Sequence, residues 1–233
     1  MNPRLLPYHA QLAGSLWFSA LPPDLQQALV DAGELVSLAA GETLFRRGDA
    51  PCGLYAVLTG ALNVGAVDDS GREALLTVAE PTTWFGEISL FDGLPRTHDA
   101  IAAGPTILLR VPQAALLALL EQRPHYWRDF ALLMTQKLRL SFMNVEALSL
   151  MPAGRRLAGR LMLIAEGYGG ASLTQTKIRL SQERLALMLS LSRQTANQLL
   201  RELEAQGVLR LHTGEIEILD LPALRGIARG AEV

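Results

Sequence analysis

From His125 to Leu150 the chain runs 26 residues without a glycine or a proline, with Pro124 before the run and Pro152 just after it. Glycine and proline are the residues that interrupt helices, so their absence over this length predicts one continuous helix. Phe130, Met134, Leu138, Ser141, Val145 and Leu148 recur at spacings of three and four, which puts them on one stripe. Either the chain's own neighbouring domain or a second copy of the helix could cover that stripe. A helix this long is hard to cover with one small domain, so the favoured reading is a homodimer through the 125–150 helix.

The flanking textures differ. LPPDLQQALVDAG, within a helical stretch of about 15–35, has prolines at its start and Gly33 at its end. From Leu35 to about Val111, short apolar runs such as LYAVL, ALNVGAV, ALLTV and TILLR alternate with turn signals. These signals include Ala40-Gly41, Gly48-Asp49, the 68–71 run, Asp92-Gly93 and Gly104-Pro105. Turns at roughly every 8–12 residues predict an all-β roll or sandwich rather than alternating strand and helix. QAALLALLEQ then forms a short helix before Pro124.

Beyond the long helix, AGRRLAGRLMLIAEGYGG reads as a helix stopped by Gly167, Gly169 and Gly170. Ser181 and Ser192 can each cap a following short helix, with a tight connection near Ser190-Leu191. VLRLH and EIEIL, joined through Thr213-Gly214, alternate as the two strands of a hairpin wing. Residues beyond Leu221 carry no readable signal. The expected fold class is α+β in three parts: a sensing β domain at 12–124, a dimerisation helix and hinge at 125–151, and a winged helix-turn-helix at 152–233.

The net charge of −2 conceals a split: residues 152–213 hold nine Lys/Arg against four Asp/Glu, whereas the remainder is −7. An acidic front and a basic back imply that the C-terminal part meets a polyanion, with an ordinary solvated surface as the alternative. The start of the second short helix suits double-stranded DNA. Arg193 can donate twice to guanine, Gln194, Asn197 and Gln198 match adenine, and the hydroxyls of Ser192 and Thr195 can hold phosphates. Together with Ser181, these residues are the candidate DNA-contact set. The structural alternative is a three-helix packing module with a polar face.

Several function classes are disfavoured. The chain has no G-x-S-x-G, H-E-x-x-H, Walker or G-x-G-x-x-G pattern, so no catalytic residues are assigned. Cys52 is the single cysteine; it cannot form an internal disulfide or alone hold an iron–sulfur cluster, and reads as a small structural residue in a turn. With His9, His98, His125 and His212 it shows no haem-attachment or metal-cluster spacing, so neither a metal nor a covalent cofactor is expected. No run approaches the roughly 18 apolar residues of a membrane span, and MNPRLLPYHAQLAG lacks a continuous apolar stretch. The expected location is the cytoplasm, with no membrane partner.

Five blocks in order, GETLFRRGD (41–49), LYAVLTGAL (54–62), GREALL (71–76), WFGEISLFDGLPRT (84–97) and LSRQTANQLLRELEAQGVL (191–209), resemble the Crp/Fnr family of bacterial regulators. The resemblance spans about Leu12 to Leu219. It implies a double-stranded β-roll of the cyclic-nucleotide-binding type, a dimerising helix and a winged helix, with a cyclic nucleotide, cAMP first, as effector. It also implies that Gly86 and Glu87 hold a ribose hydroxyl and that Arg96 and Thr97 hold the cyclic phosphate, chemistry that suits a guanidinium fork and a carboxylate acceptor. Ser141 and Phe142 would face the base. In cAMP-binding members two adjacent hydroxyl residues stand there, so Phe142 is a departure, as are His98-Asp99 after the Arg-Thr pair. Gln194 and Gln198 depart from the Glu and second Arg of the cAMP receptor pattern, which implies an altered half-site.

On this reading ligand shifts a population of helix pairings and places two recognition helices on a two-fold operator, with RNA polymerase as a further partner. A regulator with another effector, or none, is one alternative; in it Glu87 and Arg96 simply pair with each other. A cyclic-nucleotide module acting on a protein partner is another.

Overall fold

In a computed structural model the protein is described over residues 3–67, 73–167 and 176–230. The turn signal at 68–71 and the stops at Gly169 and Gly170 lie outside the described residues. The chain divides into two compact units, 1–138 and 139–233, each taken by itself below.

The first unit opens with a 3-10 turn (Pro3–Tyr8) and the helices α1 (His9–Ala13), α2 (Leu16–Ser19) and α3 (Pro23–Asp31). Ser15 caps α2 by accepting from the Phe18 amide, and prolines stand at the start of α3, where a missing N–H costs nothing. Strands β1 (Glu34–Leu38), β2 (Thr43–Phe45), β3 (Gly53–Thr59), β4 (Leu62–Val67), β5 (Glu73–Ala79) and β6 (Trp84–Phe85) follow. Then come α4 (Ile88–Asp92), β7 (Asp99–Ala102), β8 (Thr106–Pro112), α5 (Gln113–Gln122) and α6 (Trp127–Leu150).

The strands form two four-stranded sheets, ordered β1-β8-β3-β6 and β2-β7-β4-β5, with every pairing antiparallel. This is the β-roll. Six of the seven residues of β3 are buried, because both faces of its sheet are covered. Tyr55 and Val57 join Leu38, Phe45, Leu62, Phe85 and Leu108 in the core between the sheets. The alternate residues Leu54, Ala56 and Leu58 face a second core built with the helices, which includes Trp17, Phe18, Leu25, Leu29, Trp84, Leu116, Phe130 and Leu133.

Trp84 is the hub of that second core. Phe18 stacks on it at 5.3 Å, and Trp17 meets it edge-on at 5.2 Å while also packing on Phe130. The Trp17 indole N–H donates to the Asp129 carbonyl at 2.8 Å, tying α2 to the first turn of α6.

α6 is the long helix, and its stripe divides. Phe130 is fully buried in the chain's own core, together with Leu133, which lies off the predicted stripe. Further along, Leu138, Phe142, Val145 and Leu148 are each at least half exposed. One helix thus serves its own roll at one end and presents uncovered apolar side chains at the other.

The second unit contains the last turns of α6, then α7 (Ala153–Ala165), β9 (Lys177–Ile178), α8 (Gln182–Met188), α9 (Arg193–Ala205), β10 (Leu209–His212), β11 (Glu215–Ile218) and α10 (Leu221–Arg229). Its core gathers Leu157, Leu161, Leu185, Ala196, Leu200, Leu209, Ile216 and Leu224. Ser190, at φ 54°, makes the left-handed turn between α8 and α9. The wing is the expected β10–β11 hairpin, with Gly214 at φ 75° in its turn. Two features go beyond the sequence reading: β9 adds a third strand on β11, and α10 turns Leu224 and Ala228 inward. No helix among the described residues is long and apolar enough to cross a membrane.

Candidate effector and DNA-binding sites

Strand β6 delivers Gly86 and Glu87 to the start of α4, and the loop after α4 returns Arg96 to the same place. Arg96 is 4% exposed. One terminal nitrogen donates to the Gly86 carbonyl at 2.9 Å; the other donates to the Gly53 carbonyl at 2.5 Å and to Cys52 Sγ at 3.1 Å. The guanidinium lies 4.6 Å above the Phe45 ring centre. Gly86 is required here: at φ +100° it is in the left-handed region, and a Cβ would come within 2.8 Å of the Gly53 oxygen and 2.9 Å of the guanidinium.

Among the described residues no carboxylate accepts a hydrogen bond from Arg96, and its buried Nε has no partner. A buried cation held only by neutral acceptors leaves its charge uncompensated, which favours an anion at this position. Tyr55 also donates to Cys52 Sγ at 3.1 Å; burial, and then that bond, push the Tyr55 hydroxyl above its ordinary range.

Glu87 is 2% exposed, and its carboxylate accepts from Lys137 Nζ on α6 at 2.6 Å. The alternative in which Glu87 and Arg96 neutralise each other therefore does not hold. Thr97 is exposed and shares a 2.9 Å hydrogen bond with His98 Nδ1. The departure at His98-Asp99 has a structural role: Asp99 accepts from the Arg47 amide at 2.8 Å and so pins the 46–49 turn beside Arg96. His98 is half-buried and held below its ordinary pKa, first by that burial and then by Arg47. Ser141 and Phe142 belong to the second unit and are exposed, Phe142 at 66%.

Sequence reasoning did not place Cys52, Tyr55 or Lys137 beside Arg96 and Glu87, where the structure brings them. Cys52 stands 44 residues before Arg96, with no local signal connecting them. Lys137 had one: it precedes Ser141 by one helical turn and so shares its face.

In the second unit Ser181 and Ser192 cap α8 and α9, accepting from the amides of Arg184 and Thr195. The Ser192 and Thr195 hydroxyls also lie 2.8 Å apart. Arg193 and Gln194 are exposed, with no side-chain partner among the described residues. Asn197 is half-buried and donates to Gln182 Oε1 at 2.5 Å, while Gln198 donates to Glu202 at 3.1 Å on the surface. Glu204 accepts from the Leu211 amide at 2.8 Å and from Arg201, joining α9 to the wing. A groove of about 650 Å³ is lined by Ser181, Gln182, Arg193, Arg201, His212 and Thr213 among others. Among the described residues no three His, Cys, Asp or Glu side chains are grouped to hold a metal ion.

A β-roll with a buried arginine and glutamate, followed along the chain by a winged helix-turn-helix, defines a transcription regulator that joins a sensing domain to a DNA reader. Residues 35–123 match the cyclic nucleotide-binding domain and residues 155–227 the Crp-like helix-turn-helix domain. The chain belongs to the Crp/Fnr family of DNA-binding transcription regulators.

Among its relatives, the CRP-like cAMP-activated global transcriptional regulator of Mycobacterium tuberculosis is 29% identical over 215 residues, 91% of this chain and 96% of that protein. The cyclic AMP receptor protein of Thermus thermophilus is 29% identical over 220 residues, covering 94% and 99%. The crystal structure of a CRP/FNR-family transcriptional regulator from Thermus thermophilus matches with a TM-score of 0.67 at 26% identity, covering 85% of this chain and all of that one. These relatives are regulators rather than enzymes.

Proposed function

We propose that the protein is a homodimeric, cytoplasmic regulator whose β-roll binds a cyclic nucleotide, cAMP first, and whose paired α9 helices read a two-fold operator, with RNA polymerase as a further partner. The observation that carries the effector reading is the buried Arg96 without a carboxylate partner among the described residues: a cyclic phosphate supplies the missing negative charge. Gly86, Glu87 and Thr97 complete that site, with Ser141 and Phe142 toward the base. The names of the Mycobacterium and Thermus relatives support cAMP, and the exposed Leu138, Phe142, Val145 and Leu148 support a helix seam between copies. The parts of this reading are a sensor at 12–124, a dimer helix at 125–151 and a DNA reader at 152–233.

The test is calorimetric titration of the full-length protein with cAMP, cGMP and cyclic di-GMP. Saturable binding by one of them, lost in Arg96→Ala while circular dichroism is retained, is the expected result. Absence of binding by all three overturns the cyclic-nucleotide effector and leaves the DNA reader standing. Selection of a two-fold operator from random duplex DNA tests the reader separately.

A further inference from the structure

We infer that Asn197 is not a base-reading residue but a positioning residue, holding the recognition helix α9 against α8 through Gln182. The inference rests on the reading that α9 enters the major groove, and it deepens that reading.

An asparagine recognises adenine with its amide nitrogen and oxygen together, both turned toward the base edge. Asn197 does not present itself in that way. It is half-buried, and its nitrogen donates to Gln182 Oε1 at 2.5 Å. Gln182 is the first residue of α8, directly after the Ser181 cap, and it is separated from Asn197 by 15 positions. The bond therefore joins the N-terminal end of one helix to the second turn of the next, across the left-handed turn at Ser190.

Gln198 differs. Its bond to Glu202 is exposed and links neighbours on one helix face, so water replaces it readily and Gln198 stays available to DNA. Arg193 and Gln194 are exposed without side-chain partners among the described residues. Base reading thus falls to Arg193, Gln194 and Gln198, and Asn197 acts through them by fixing the angle at which they enter the groove.

The experiment uses the full-length protein and the operator it selects from a random duplex library, with affinities measured for every single-base change. Arg193→Ala, Gln194→Ala and Gln198→Ala first identify the base pairs that those three side chains discriminate. Asn197→Ala is expected to weaken operator binding about tenfold and to lower discrimination at those same base pairs, with no new position relaxed. Gln182→Ala, which leaves Asn197 in place, should give the same pattern, and the double variant should be no weaker than either single one.

Relaxed preference for adenine at a position that Arg193→Ala, Gln194→Ala and Gln198→Ala all leave intact would overturn the inference, since Asn197 would then be reading that base. An equal loss on every sequence, non-specific DNA included, would overturn it in favour of a merely structural role. If the wild type selects no operator at all, the DNA-reading assignment itself fails, and the inference with it.

Discussion

Replacing Lys137 with methionine keeps the aliphatic length of the side chain and removes its charge, leaving the Glu87 carboxylate without this cation. The pair is short, 2.6 Å, and Glu87's side chain is only 3% exposed, whereas Lys137's is 33% exposed. Breaking a fully buried pair by deleting one partner costs about 3–5 kcal/mol. Because water reaches the lysine end, the expected loss here is nearer about 2–3 kcal/mol, a fall of roughly 5–10 °C in melting temperature for a unit of this size. Trp17, Trp84 and Trp127 are the only tryptophans and all lie in residues 1–138, so tryptophan fluorescence in urea reports the first unit alone.

The companion variant is Glu87→Gln combined with Lys137→Met, which removes both charges at nearly constant shape. It should recover most of the loss, because neither partner is left charged and buried. If Lys137→Met unfolds at the wild-type urea concentration, or if the double variant is at least as unstable as the single one, the pair does not govern stability in the way argued.

Phe130→Ala, at a site with no solvent exposure beside Trp17, should cost about 3–5 kcal/mol in the same fluorescence assay. Val145→Asp places a charge on the exposed stripe of α6 and should shift sedimentation equilibrium toward monomer at micromolar concentration; an unchanged dimer would put the interface elsewhere. N-ethylmaleimide on Cys52, whose sulfur touches Arg96, should lower affinity for cAMP, and saturating cAMP should slow the labelling; equal labelling rates with and without bound cAMP would separate the thiol from the effector site. In the second unit the amide of Leu211 and then Arg201 hold Glu204 below its ordinary value near 4.5, and a hydrogen bond with His212 does the same for Glu217. A depressed carboxylate stabilises the fold fully above its ordinary value, and that contribution is lost as pH falls through the folded-state value. Melting followed by far-ultraviolet circular dichroism should thus show an acid slope below about pH 4.5 that Glu204→Gln reduces.

Much of this architecture is legible in the linear chain, because the signals that define it are local. The caps at Ser181 and Ser192, the wing turn at Thr213-Gly214 and the uninterrupted helix from Trp127 to Leu150 each depend on residues within a few positions of one another. The two-residue strand β9 is not legible, since it exists only by pairing with β11 nearly forty residues later. Helix α10 does carry local signals that the sequence reading passed over: Asp220 caps its start, Pro222 stands in its first turn, Gly230 ends it in the left-handed region, and Leu224 and Ala228 turn inward one turn apart.

For the site, the blocks of the linear chain that resemble the Crp/Fnr family grouped Gly86, Glu87 and Arg96, and the cap at Ser192 put Arg193 and Gln194 at the head of α9. Tertiary structure alone decided which side chains those groups meet. Arg96 meets Cys52 and two backbone carbonyls, Glu87 meets Lys137 fifty residues away, and Asn197 faces Gln182. Helices, turns and caps follow from torsional preferences and hydrogen bonds within a few residues. The partner of a buried charge follows from which distant strand or helix the hydrophobic core brings within about 3 Å of it.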